Sequence, residues 1–136
     1  MTTQEAYEAI RDYFSQPGRE RAIDPESDDC VYKGPKGQKC AVGCLIPDNL
    51  YSPEFEGNTL GTLLVLLRDW KDSDAQAAEV YALLNDDESK VSFLTEAQRL
   101  HDGQGASDME EVEEFGPWFV TRLDSLAERH GLHRAA

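Results

Sequence analysis

Apolar residues recur along the chain at helical intervals in five places. Tyr7, Ile10 and Phe14 stand three and four residues apart behind Thr2 and Glu5, whose spacing is that of a capping box; Gln16, Pro17 and Gly18 then stop the run. Leu60, Leu63, Leu64, Leu67 and Trp70 share one broad apolar face behind Asn58 or Thr59 as cap. Asp74 opens a third helix with Ala77, Val80, Tyr81 and Leu84 inward. Leu94, Ala97, Leu100 and His101 mark a fourth that stops at Asp102 and Gly103. The last begins near Pro117, carries Phe119, Leu123, Leu126 and Ala127 on one side, and closes at His130 before Gly131.

Between the first two helices the pattern changes. Residues 19–29 are charged and contain a proline, which suits a connector. Segments 30–33 and 38–42 then flank the turn-forming residues 34–37, and this predicts a β-hairpin with Cys30 and Cys40 at facing strand ends. Gly43 and Pro47 end the second strand, and residues 48–53 form a turn or a single helical turn under Asp48. The fold expected is α+β, mostly helical with about five helices and one β-hairpin near residues 30–43. Its 136 residues make a single acidic domain over 1–136 and show no internal repeat. The small residues 103–107 are expected to form a mobile loop.

Charge narrows the function classes. The formal net charge is −14; residues 1–45 hold eight acids against six bases, and residues 46–136 hold nineteen against seven. No Lys or Arg falls between Lys71 and Lys90, where Asp72, Asp74, Glu79, Asp86, Asp87 and Glu88 lie. None falls between Arg99 and Arg122 either, a stretch with Asp108, Glu110, Glu111, Glu113 and Glu114. Such a field repels phosphate backbones and anionic lipid, so neither direct nucleic-acid binding nor membrane binding is expected, and a protein with a basic surface is the partner it fits. The run 108–114 suits a helix N-terminus as well as a binding tail. The first residues have neither a basic region nor an apolar signal core, and no apolar run is long enough to span a bilayer, which points to the cytoplasm.

Three cysteines, an odd number, give no complete disulfide framework. Cys30, Cys40 and Cys44 with His101 supply the donor types of a zinc site, and a thiolate at Cys40 with His101 as base supplies those of a thiol hydrolase. Asp102 is the wrong neighbour to orient that base, since adjacent helical residues point apart. The plain alternative is that small apolar thiols pack in the core. Glycine-rich phosphate loops, HExxH, GxSxG and EF-hand loops are all absent from the sequence.

Cys30, Tyr32, Lys39, Cys40, Ala41, Gly43, Leu45, Ile46, Asp48, Tyr51, Glu56 and Gly57, followed by His101, Asp102 and Trp118, form a pattern C-x-Y, a Gly-rich turn, K-C-A-[VI]-G, L-I-x-D, Y and E-G. It resembles that of an uncharacterised group of small phage, prophage and bacterial proteins. The resemblance implies a mobile-element setting, hence the host cytoplasm for a phage-encoded chain, and a protein that works by binding a host or phage protein. It supplies no activity.

The leading expectation is therefore a non-enzymatic acidic protein that needs no cofactor and binds another protein, for instance by covering a basic nucleic-acid-binding surface as a charge mimic. The alternative is the cysteine-centred site, either zinc or a Cys/His thiol site. Apolar helix faces also allow pairing with copies of the same chain.

Overall fold

The structure is a computed structural model that describes residues 1–24, 26, 30–85, 87–103 and 114–134. The expected loop at 103–107 and the run 108–114 fall outside it except for Gly103 and Glu114. The described helices are α1 (Thr3–Ser15), α2 (Leu60–Trp70), α3 (Ala75–Leu84), α4 (Glu88–His101) and α5 (Phe115–Arg129). Each of the first four starts where a short polar side chain meets an orphan amide. The Thr2 hydroxyl accepts from the Glu5 amide at 3.0 Å while the Thr2 amide donates to the Glu5 carboxylate at 2.9 Å, which completes the capping box. Thr59, Asp74 and Asp87 cap α2, α3 and α4 in the same way. The start of α5 lies at Phe115, two residues ahead of Pro117, because a proline in the first turn removes an amide that has no helical partner there.

The expected β-hairpin does not form, and the α+β class falls with it. Among the described residues the chain is all-helical, with isolated antiparallel bridges between Ile23 and Cys30 and between Lys33 and Lys39. Two local competitors explain the difference. The Tyr32 and Lys33 amides, donors a longer sheet would use, go to the Glu56 carboxylate at 2.8 and 3.2 Å. Past the bridge, the segment coils instead of extending: the Cys44 amide donates to the Cys40 carbonyl at 3.0 Å, and a 3-10 turn follows at Gly43–Leu45. Gly43 is required at this point. A Cβ on it would lie 2.0 Å from the Tyr32 carbonyl oxygen, the atom that accepts the Cys40 amide at 3.1 Å. Two further 3-10 turns, Asp48–Leu50 and Pro53–Phe55, bring Glu56 back under this loop.

Helix α1 packs on α5 and α4, α4 also meets α5 and α2, and α2 pairs with α3. A continuous core runs through all five helices and the 40–46 segment. Its centre is aromatic: the Phe14 ring lies 4.6 Å from Phe119, 5.8 Å from Phe115 and 6.0 Å from the His101 imidazole. Gly116 lets the end of α1 rest on the first turn of α5, since a Cβ there would stand 2.7 Å from the Phe14 carbonyl oxygen. Farther along the same interface, buried Asp124 accepts from the Tyr7 hydroxyl at 2.6 Å and from Arg11 Nε and Nη2 at 2.9 and 3.4 Å. Burial alone would raise the Asp124 carboxyl, but hydrogen bonds from Arg11 and Tyr7 outweigh it and hold the group below the ordinary carboxylate range. Lys90 is fully buried, and its ammonium donates to the carbonyls of Met1 and Leu83 at 2.6 and 2.7 Å, which ties the N-terminus to the end of α3.

Two stability predictions follow from these contacts. Gly43→Ala drives a methyl into a carbonyl with no flexible neighbour to yield, and chemical denaturation should show a loss of about 1–3 kcal/mol. Asp124→Asn removes the acceptor charge between Tyr7 and Arg11 and should cost about 2 kcal/mol at neutral pH. Because the folded carboxyl is depressed, its contribution is present above the unfolded value near pH ~4 and fades as pH falls further. Melting curves of the two proteins should therefore converge on acidification.

Candidate functional site

Helix α4 ends at His101, and Asp102 caps it with its own amide donating back to the carbonyls of Gln98 and Leu100. That tight last turn brings the two side chains together in spite of their adjacency: the Asp102 carboxylate oxygen lies 3.0 Å from His101 Nδ1 and also accepts from Gln98 Nε2 at 3.0 Å. The sequence expectation that they point apart is corrected by this geometry. On its other side the fully buried His101 ring accepts the Ala22 amide hydrogen at Nε2, 3.3 Å away. An acceptor at Nε2 fixes the tautomer, so the ring proton is on Nδ1 and is donated to Asp102.

Arg21 closes the arrangement. Its Nε donates to the His101 carbonyl at 3.0 Å, and its Nη2 reaches the Asp102 carbonyl at 2.8 Å and the Cys30 sulfur at 3.4 Å. Cys30 Sγ, a His101 ring nitrogen and an Asp102 oxygen all lie within 4.8 Å of one another. Cys30 and Asp102 face a cleft of about 890 Å³ whose walls include Tyr32, Glu56, Thr59, Gln98 and Arg99.

This knot has the inventory of a thiol or metal site, and its electrostatics run against both. Burial first, and the Asp102 charge second, push the Cys30 thiol up to about 11, so little thiolate is present at neutral pH. Burial also lowers the His101 pKa, against the opposite pull of Asp102. Both ring nitrogens are engaged, and neither is left for a thiol. A metal held by Cys30, His101 and Asp102 would take one ring nitrogen and leave the other protonated and in need of an acceptor. With the ion on Nδ1, the Nε2 hydrogen would confront the Ala22 amide hydrogen. With the ion on Nε2 instead, the buried Ala22 amide would lose its acceptor, so the residues present do not suit a metal ion in this arrangement.

The other thiols stand apart from the knot. Cys40 is fully buried, its sulfur accepts the Gly43 amide at 3.1 Å, and burial raises its pKa far above the usual thiol range. The Cys44 thiol donates to the Ala41 carbonyl at 3.1 Å and is pushed up to about 12, again mainly by burial. The proposed zinc set of Cys30, Cys40, Cys44 and His101 is thus divided between two places, with Asp102 rather than Cys40 or Cys44 beside Cys30 and His101.

Of the acidic residues of the leading expectation, five lie around α3. Asp72, Asp74, Glu79, Asp87 and Glu88 are all exposed. Asp72 pairs with Lys71 at 3.6 Å, while Asp74 and Asp87 accept the amides they cap. Glu114 is the exposed residue before α5 and makes no side-chain cap. Asp86, Asp108, Glu110, Glu111 and Glu113 lie outside the described residues.

Two contributors escaped sequence reasoning. Arg21 reads as one more charge of the connector, and its partners are about eighty residues away. Glu56 stands in the sequence only as part of the E-G pattern, with no role attached, yet it takes two amides and the Tyr51 hydroxyl at 2.5 Å. Burial and the Glu56 carboxylate together raise the Tyr51 hydroxyl well above the ordinary tyrosine value.

Iodoacetamide labelling tests the thiol chemistry. At pH 8 Cys30 should react about a hundredfold more slowly than an unperturbed cysteine, with a rate that keeps rising toward pH 11. No described helix is long and apolar enough to cross a membrane. Comparison of the chain with protein-family models, with curated proteins and with solved structures finds no match.

Proposed function

We propose that this chain is a non-enzymatic binding protein whose acidic surface around α3 docks on a basic surface of another protein, in the manner of a nucleic-acid mimic. The observation that carries the reading is the state of these acids: Asp74, Glu79, Asp87 and Glu88 are exposed and have no basic side chain as partner among the described residues. Asp74 stands at the start of α3, Glu79 in its middle, and Asp87 and Glu88 at the start of α4 just beyond its end, and α3 itself is about 15 Å long. Lys90, the base that closes this stretch of sequence, is buried and directs its ammonium to carbonyls inside the protein. With Lys71 paired to Asp72 at 3.6 Å, the remaining acids give a field of one sign that acts over about a Debye length, 8–10 Å at physiological salt, and raises encounter rates with a basic groove.

The pattern of Cys30, Tyr32, Lys39, Cys40 and Gly43 that resembles small phage and prophage proteins agrees with this role, in which a host or phage protein is the target. The closed hydrogen bonding of His101 and the raised thiols favour binding over catalysis.

A variant with these five acids neutralised separates this function from folding. Asp74→Ser and Asp87→Ser keep a cap at each helix start, and Asp72→Asn, Glu79→Gln and Glu88→Gln remove the remaining charges. The native chain should capture a basic protein at low salt with an association rate about a hundredfold above that of the variant, and lose that advantage in high salt. Capture that is equal for the two proteins, or insensitive to salt, refutes the proposal.

A further inference from the structure

His101 joins two segments that are far apart in the chain. Its Nε2 holds the Ala22 amide, while Arg21 holds the carbonyls of His101 and Asp102. The Ala22 carbonyl in turn accepts the Val31 amide at 2.9 Å, and Ile23 bridges Cys30. Beside the packing of buried Ala22 and of Val31, the polar ties that hold the outgoing and returning arms of the connector to the end of α4 are, among the described residues, one imidazole and one guanidinium. Of these two, the imidazole is the one whose proton count changes near neutrality.

We propose that this contact is a proton-operated latch: protonation turns His101 Nε2 from acceptor to donor, sets it against the Ala22 amide, and frees the 21–23 and 30–31 arms from α4. A second effect acts in the same direction, because the new imidazolium stands beside the Arg21 guanidinium. Arg21, Cys30 and Val31 also line the cleft, so release of these arms removes one of its walls.

The charges around the ring are few. Asp102, on the same turn of α4, favours the imidazolium; Arg21, from the connector, opposes it; Cys30 lies in the same cluster as a neutral thiol. From α1 and α5 the ring meets Phe14, Phe115 and Phe119, at centroid distances of 6.0, 5.4 and 6.3 Å, and among the described residues these helices bring no charge to it. Burial is the largest influence and lowers the pKa from its ordinary value of 6.5. The open form therefore binds the proton more tightly than the closed one. The latch is shut at neutral pH, and below pH ~6.5 the closed form loses about tenfold relative to the open one for each unit of acidification, until the buried ring itself titrates.

Nitrogen-15 NMR on the full chain reads both partners. At pH 7.5 the His101 ring should show the Nδ1–H tautomer, and below pH ~6.5 the hydrogen-exchange protection of the Ala22 amide should fall about tenfold per unit. Protection of Leu64 within α2 should hold over the same range. In His101→Gln the side-chain oxygen still accepts the Ala22 amide but cannot titrate, so the pH dependence should flatten. In Asp102→Asn the carboxylate that favours the imidazolium in the closed form is lost, so the closed ring should titrate at lower pH and the tenfold-per-unit fall in protection should continue further before levelling off; this variant decides the matter if His101→Gln does not fold. The latch is refuted if Ala22 loses protection only together with Leu64, if His101 titrates while Ala22 stays protected, if the ring carries its proton on Nε2 at pH 7.5, or if Asp102→Asn does not extend the fall in protection to lower pH.

Discussion

The contact of α1 with α5 is the constraint on which the remaining packing depends. One end of it is apolar and very close, with Phe14 against Phe119 and the α1 backbone against Gly116. The other is polar, with Asp124 between Tyr7 and Arg11. An apolar face alone can slide or rotate, since the hydrophobic effect is without direction. The carboxylate, held by donors from α1 at defined distances, fixes the register, and the Gly116 contact fixes the approach. Helix α4 then lies against this pair and carries the His101 ring into the aromatic centre.

That placement explains why a cysteine, a histidine and an aspartate come together without forming a reactive centre. The imidazole is held as a neutral, buried connector whose two nitrogens serve a carboxylate and a backbone amide. Catalytic histidines need one nitrogen free for the reacting group, and metal-bound ones need an acceptor behind them. His101 has neither. Residue identity and proximity alone would have suggested a triad; the direction of each hydrogen bond decides against it.

The helices were legible because their signals are local. The capping box of Thr2 and Glu5, the leucine stripe of α2 and the Asp74 cap each declare themselves within four residues. The hairpin was misread because its fate is decided from outside. Segments 30–33 and 38–42 have strand-like composition, but Glu56 occupies the Tyr32 and Lys33 amides, and the Gly43 contact with Tyr32 turns the second segment away. Of the candidate site, Cys30 and His101 could be named from residue type. Their true companions could not: Arg21 approaches through tertiary folding, and Asp102 meets His101 only because the helix ends in a tight cap. The exposure of the α3 acids was readable from their absence from any apolar stripe, while the burial of Lys90 was not.

Glu56 has a further consequence for solubility. A lone two-residue bridge with open amides along one side would be an unfinished sheet edge, the kind of template on which other chains add strands and aggregate. Here the Tyr32 and Lys33 amides are already occupied by a carboxylate, and its charge opposes the approach of an incoming backbone carbonyl. The side chain that prevents the hairpin from growing within the molecule thus also prevents it from growing between molecules.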